Sequence, residues 1–98
     1  MTIEKILDGA ELTVKVAGRI DTTTAPDLEK ELKESLDGIT SLILNFDELA
    51  YISSAGLRVL LSAQKIMKKQ GSMVVVGASE GIREIFEVTG FFELLNIR

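Results

Sequence analysis

Tyr51-Ile52-Ser53-Ser54-Ala55-Gly56-Leu57 stands between an apolar run, Leu42-Ile43-Leu44-Asn45-Phe46, and a helical pattern that begins near Ala55. The segment therefore reads as strand, short loop and helix start. Ser54 falls where an N-cap belongs, and a capping hydroxyl accepts a backbone N–H of the first turn. The same geometry has a second consequence. A helix N-terminus carries unpaired N–H groups and the positive end of the macrodipole, so a phosphate on Ser54 would be well placed there.

On the N-terminal side, Thr2 to Leu7 and Glu11 to Gly18 read as two strands joined at Asp8-Gly9, a hairpin signal between β-prone runs. Leu12, Val14 and Val16 alternate with Thr13 and Lys15, so the second strand has one apolar and one wet face. Gly18-Arg19-Ile20-Asp21 is expected to leave the sheet. A helix follows, with Thr24 as cap, Pro26 in the first turn, Asp27 in capping-box position and Gly38 closing it. Its apolar stripe is Leu28, Leu32 and Leu36. Ile39 to Phe46 is the most apolar strand, with Leu42, Leu44 and Phe46 on one face, and Asp47 to Ser53 is expected to be loop.

On the C-terminal side, the helix from Ala55 to Gln70 turns Leu57, Leu60, Ala63 and Met67 inward and Arg58, Ser62, Lys65 and Lys69 outward. Met73 to Val76 gives a buried strand. Ser79 caps a third helix that carries Ile82, Ile85, Phe86 and Val88 and stops at Gly90. Phe91 to Leu95 fits either a last helical turn or a short edge segment. Strands alternating with helices after a hairpin imply an α/β layer, a mixed sheet of four to five strands with helices packed on it and parallel neighbours.

Composition removes several chemistries. Ninety-eight residues fit one domain, 1–98, able to bury roughly two thirds of its unfolded surface. With no Cys and no His, disulfides, thiolate catalysis, the usual general base and the usual metal ligand are absent. A net charge of -4 argues against a nucleic-acid surface. No apolar stretch approaches the roughly 18 residues of a membrane span and no signal peptide is visible, so a cytoplasmic setting is expected. Gly77-Ala78-Ser79-Glu80-Gly81 lacks both the Gly-Lys-Ser/Thr ending and the Gly-x-Gly-x-x-Gly spacing of phosphate loops, and reads as a turn with an N-cap. A nucleotide-binding role for that loop with Asp21 is the rival from a different class. Ser53 and Ser54 lack a base to make either a nucleophile, whereas accepting a phosphoryl group from another enzyme asks only for exposure and tolerance of charge. Arg58, four residues after Ser54, either contacts such a phosphate or keeps the helix soluble.

Gly18-Arg19-Ile20-Asp21, the block from Leu44 to Leu57, and Phe86-Glu87-Val88-Thr89-Gly90-Phe91-Phe92 together resemble the STAS domain of bacterial anti-sigma factor antagonists over nearly the whole chain. The resemblance implies a STAS-like fold and a protein-interaction switch rather than an enzyme, with no cofactor. By the same resemblance, an anti-sigma factor that is itself a serine kinase would phosphorylate Ser54. The unphosphorylated form would bind that kinase and release a sigma factor, and a PP2C-type phosphatase would restore it. The implied partner surface comprises Asp21, Ser53, Ser54, Ala55, Gly56, Leu57 and Arg58, with Gly56 allowing close backbone approach. The family commonly has Asp immediately before the phosphoacceptor, where this chain has Ser53, so Ser53 is a competing acceptor. Related STAS proteins serve as subunits of lipid-transport ATPases or as stressosome scaffolds, in which Ser54 would be only a cap. Monomer and weak dimer are both compatible with the sequence.

Overall fold

The computed structural model describes residues 1–98. Two strands, β1 (Thr2–Asp8) and β2 (Glu11–Ile20), form an antiparallel hairpin in which Asp8 pairs with Glu11. The two-residue turn is therefore Gly9-Ala10, one position beyond the expected Asp8-Gly9. Gly9 has φ 61, which places the left-handed residue first in the turn, where glycine is favoured. Helix α1 (Ala25–Ser35) leads to β3 (Ser41–Asn45), β4 (Leu49–Ile52), α2 (Ser54–Gln70), β5 (Ser72–Val76), α3 (Glu80–Thr89) and the single turn α4 (Phe91–Leu94).

The sheet is mixed and five-stranded, in the order β1-β2-β3-β5, with β4 against the end of β2. Strand β2 is long enough to serve two parallel neighbours, β3 along Glu11 to Lys15 and β4 along Gly18 to Ile20. Its alternation puts Leu12, Val14, Val16 and Ile20 into the core. Leu42, Leu44 and Phe46 join them from β3 and the residue that follows it, as expected. The core is one cluster of 24 buried residues, and no polar or charged residue is buried. Leu28, Leu32 and Leu36 from the α1 segment, Leu57, Val59, Leu60, Ala63 and Met67 from α2, and Ile82 and Phe86 from α3 close it from the helical side.

Several expectations need correction. Gly18-Arg19-Ile20 does not leave the sheet, and Asp47 to Ser53 is not all loop, because these segments pair as the end of β2 and as β4. The register slips between Gly18 and Arg19, so that Gly18 faces Leu49 while Arg19 faces Tyr51 and Ile20 faces Ile52. The slip sets Leu49 and Ile52 inward with both Ala50 and Tyr51 outward, which is a bulge rather than an alternation. Thr24 occupies the N-cap position of α1 with a helical φ/ψ and no side-chain cap bond. Val88 is 77% exposed, because the single turn of apolar stripe in α3 is complete with Ile82 and Phe86. Phe91 to Leu94 is a helical turn, after which Ile97 makes one parallel bridge to Val75.

Candidate functional site at the mouth of α2

The site is built where the parallel ends of β2 and β4 stop side by side. The Ser53 amide donates to the Ile20 carbonyl at 2.8 Å, so the chain enters α2 from a position pinned to β2. Ser53, not Ser54, is the N-cap. It has extended backbone, φ -90 and ψ 174, and its hydroxyl accepts the Gly56 amide at 3.3 Å. Its carbonyl takes the Leu57 amide at 2.9 Å. Ser54 is therefore the first helical residue, and it is exposed. The expected cap, Ser54, lies one residue late because two serines in a row both satisfy the sequence rule, and only the backbone chooses between them.

Gly56 and Leu57 do not belong to the surface. Leu57 is buried, and a Cβ on Gly56 would lie 2.7 Å from both Ile20 Cγ2 and Ile52 Cγ1. Glycine here lets α2 lie directly on the ends of β2 and β4, so the close approach it permits is internal. Ala55 is half-buried, and Arg58 is exposed one turn beyond Ser54. Between the first turns of α1 and α2 runs an open groove of about 220 Å³ lined by Thr22, Pro26, Glu29, Ala55 and Arg58.

Asp21 leads the neighbouring turn. Its Oδ1 accepts the Thr23 amide at 3.0 Å, the Thr24 amide at 3.1 Å and the Thr23 hydroxyl at 2.8 Å. The Thr24 hydroxyl accepts the Asp21 amide at 2.8 Å and donates to the Arg19 carbonyl at 2.9 Å. Thr24 thus closes the turn from outside α1 instead of capping it. The Thr23 hydroxyl, then the Thr24 and Thr23 amides, stabilise the carboxylate and hold the Asp21 pKa down to about 2. Asp21 is a charged, rigidly held group beside Ser53, not a proton donor at neutral pH. The Gly77 loop serves another purpose, since Gly77, with φ 74, packs against the Asp47 carboxylate, and Ser79 caps α3 by accepting the Ile82 amide at 3.3 Å.

Sequence reading missed Arg19 and Tyr51 as a unit. They face each other across β2 and β4, with the guanidinium carbon 4.5 Å from the ring centroid. The signal that could have found them was the pairing of the Gly18 to Asp21 segment with the segment before Ser53.

The sequence pattern of the STAS domain family matches residues 2–98. The chain belongs to the STAS domain family. BtrV of Bordetella bronchiseptica, named as a candidate anti-sigma factor antagonist, is 37% identical over 99% of this chain and 84% of its own length. Among solved structures, an anti-sigma factor antagonist from Mycobacterium paratuberculosis superposes with a TM-score of 0.88 at 24% identity, covering 98% of this chain and 83% of that one. The Bacillus protein SpoIIAA superposes with TM-scores of 0.77 in its unphosphorylated form and 0.76 in its phosphorylated form, at 14% and 15% identity. Those alignments cover 99% of this chain and 87% and 91% of the respective SpoIIAA chains. No helix of this STAS domain is long and apolar enough to cross a membrane.

Proposed function

We propose that this STAS domain is an anti-sigma factor antagonist, a binding module that engages an anti-sigma factor serine kinase through the mouth of α2 and is switched off by phosphorylation of Ser54. The observation that carries this reading is the division of labour between adjacent serines. The Ser53 hydroxyl is spent on the Gly56 amide and its residue is half-buried, whereas Ser54 is exposed on the first residue of the helix. Ser54 is thus the acceptor, and Ser53 supplies the cap that the family's usual Asp would supply, since both residue types cap well.

A phosphate on Ser54 would lie at the positive end of α2, near the Ser54 and Ala55 amides that no helical carbonyl can reach. The fold need not change. Adding close to two negative charges to a surface that must exclude water on binding costs several kcal/mol, and about 4 kcal/mol weakens a complex on the order of a thousandfold. A PP2C-type phosphatase would then reset the switch. The test is incubation with the cognate anti-sigma factor kinase and ATP, followed by mapping of the phosphate by mass spectrometry. Stoichiometric modification of Ser54 is expected. Absence of transfer, or transfer to Ser53, overturns the assignment.

A further inference from the structure

Arg19 is the one cation of β2 that makes no side-chain hydrogen bond, its contact with Asp21 being a long ion pair. Lys15, four residues earlier on the same strand, is tied to Glu48 at 3.1 Å. Arg19 approaches an acid only through Nε, 3.9 Å from Asp21 Oδ2, which is beyond hydrogen-bond distance. The Thr23 and Thr24 donors all converge on Oδ1, so Asp21 is held in its turn without a hydrogen bond from Arg19. The Arg19 side chain is 62% exposed, yet it is laid on the Tyr51 ring at 4.5 Å, and its backbone carbonyl is held by the Thr24 hydroxyl. A register slip in the β2–β4 pairing is what brings the two side chains opposite each other. Without that slip Arg19 would face Ala50, which offers no ring. Bulges of this kind commonly re-aim a side chain next to a functional surface.

We infer that Arg19, stacked on Tyr51, is an anchor of the partner surface and receives a carboxylate of an Asp or Glu side chain on the anti-sigma factor. The inference rests on the antagonist reading above and adds the residue that selects the partner. Its place is right for that role. Ile20 and Ser53 are joined by a backbone hydrogen bond, so Arg19 and Ser54 each lie one residue from that link, roughly 10 Å apart at strand spacing. Its chemistry is right as well. A guanidinium presents a planar fork that binds a carboxylate bidentately, and its face is free to stack on an aromatic ring while the fork points outward. Stacking restricts the side chain before binding, which lowers the ordering cost that usually offsets an ion pair at an interface. Arg and Tyr are also the residue types that most often dominate interface energetics. In a chain of net charge -4, an acidic partner segment meets little general attraction, so a local cation such as Arg19 favours selectivity.

The test is calorimetric titration of the unphosphorylated full chain with its cognate anti-sigma factor kinase, in the absence and in the presence of ADP. Arg19→Gln is expected to weaken binding at least about tenfold in both conditions, and Arg19→Lys is expected to fall between it and the unsubstituted chain, because an ammonium keeps the charge but loses the fork. Tyr51→Leu, which removes the platform and leaves the charge, is expected to weaken binding, and Tyr51→Phe to restore it. Arg19→Gln binding within about twofold of the unsubstituted chain overturns the inference while leaving the antagonist reading intact. A loss seen only with ADP assigns Arg19 to a nucleotide phosphate and overturns the carboxylate. Failure of the unsubstituted chain to bind overturns both readings.

Discussion

The Ser53 hydroxyl holds the Gly56 amide at 3.3 Å, and this one bond decides which of two neighbouring serines remains free. Removing it leaves a donor in the first turn of α2 without its partner. Ser53→Ala is expected to cost about 1 kcal/mol, and Ser53→Asp is expected to be near neutral or stabilising because it keeps the acceptor and adds a negative charge at the positive helix end. Ser54→Ala should change stability by less than about 0.5 kcal/mol, since the side chain is exposed. Urea midpoints at constant m separate the three variants. A larger loss for Ser54→Ala than for Ser53→Ala would move the cap back to Ser54.

Gly56 is small because of its neighbours rather than its backbone. Alanine there would gain roughly 1 kcal/mol of helix propensity. Its Cβ would stand 2.7 Å from Ile20 Cγ2 and Ile52 Cγ1, which belong to fully buried side chains with little room to yield. Overpacking of this kind costs about 1–3 kcal/mol, so Gly56→Ala is expected to destabilise on balance. Gly81 is the control. Nothing lies within 4 Å of a Cβ built on it, so Gly81→Ala in α3 should stabilise by about 0.4–1 kcal/mol. Thermal and urea unfolding of the pair read the opposite signs directly.

The helices and the three regular parallel strands were legible because their apolar residues recur at the period of the element, as in Leu28, Leu32 and Leu36 or Leu12, Val14 and Val16. Strand β4 was not legible. Its four residues run inward, outward, outward, inward, and the register slip that produces this pattern is a property of its pairing with β2, which no local period encodes. The same slip creates the Arg19–Tyr51 pair, so the missed strand and the missed surface pair have one cause. In the site, the place of Ser54 at the helix mouth and the inward face carrying Leu57 were readable, but the choice of cap and the burial of Gly56 depended on how α2 meets Ile20 and Ile52.

Val88 and Phe86 lie two residues apart on α3 and should respond very differently. Phe86 is fully buried and Val88 is 77% exposed. Phe86→Ala is expected to cost about 3–5 kcal/mol through lost transfer energy and a cavity, while Val88→Ser should stay within about 0.5 kcal/mol. Equal losses in a denaturant series would mean that Val88 is packed in solution, contrary to its exposure here.

Asp21 predicts how the site responds to acid. Its carboxylate accepts from the Thr23 hydroxyl and from the Thr24 and Thr23 amides, and its pKa falls from the ordinary 3.8 to about 2. A group with a lower pKa in the folded state contributes stability that is present above its unfolded pKa and is lost as pH falls through the folded one. The contribution should therefore be intact at neutral pH and disappear between about pH 4 and pH 2. NMR titration of the Asp21 carboxyl carbon should place its midpoint near the lower end of that window. Asp21→Asn keeps an acceptor for the amides but cannot titrate, so its unfolding midpoint should depend less on pH across the same range. If both proteins lose stability in parallel from pH 4 to pH 2, the turn at the end of β2 is not held by the charge on Asp21, and other carboxylates account for the acid sensitivity.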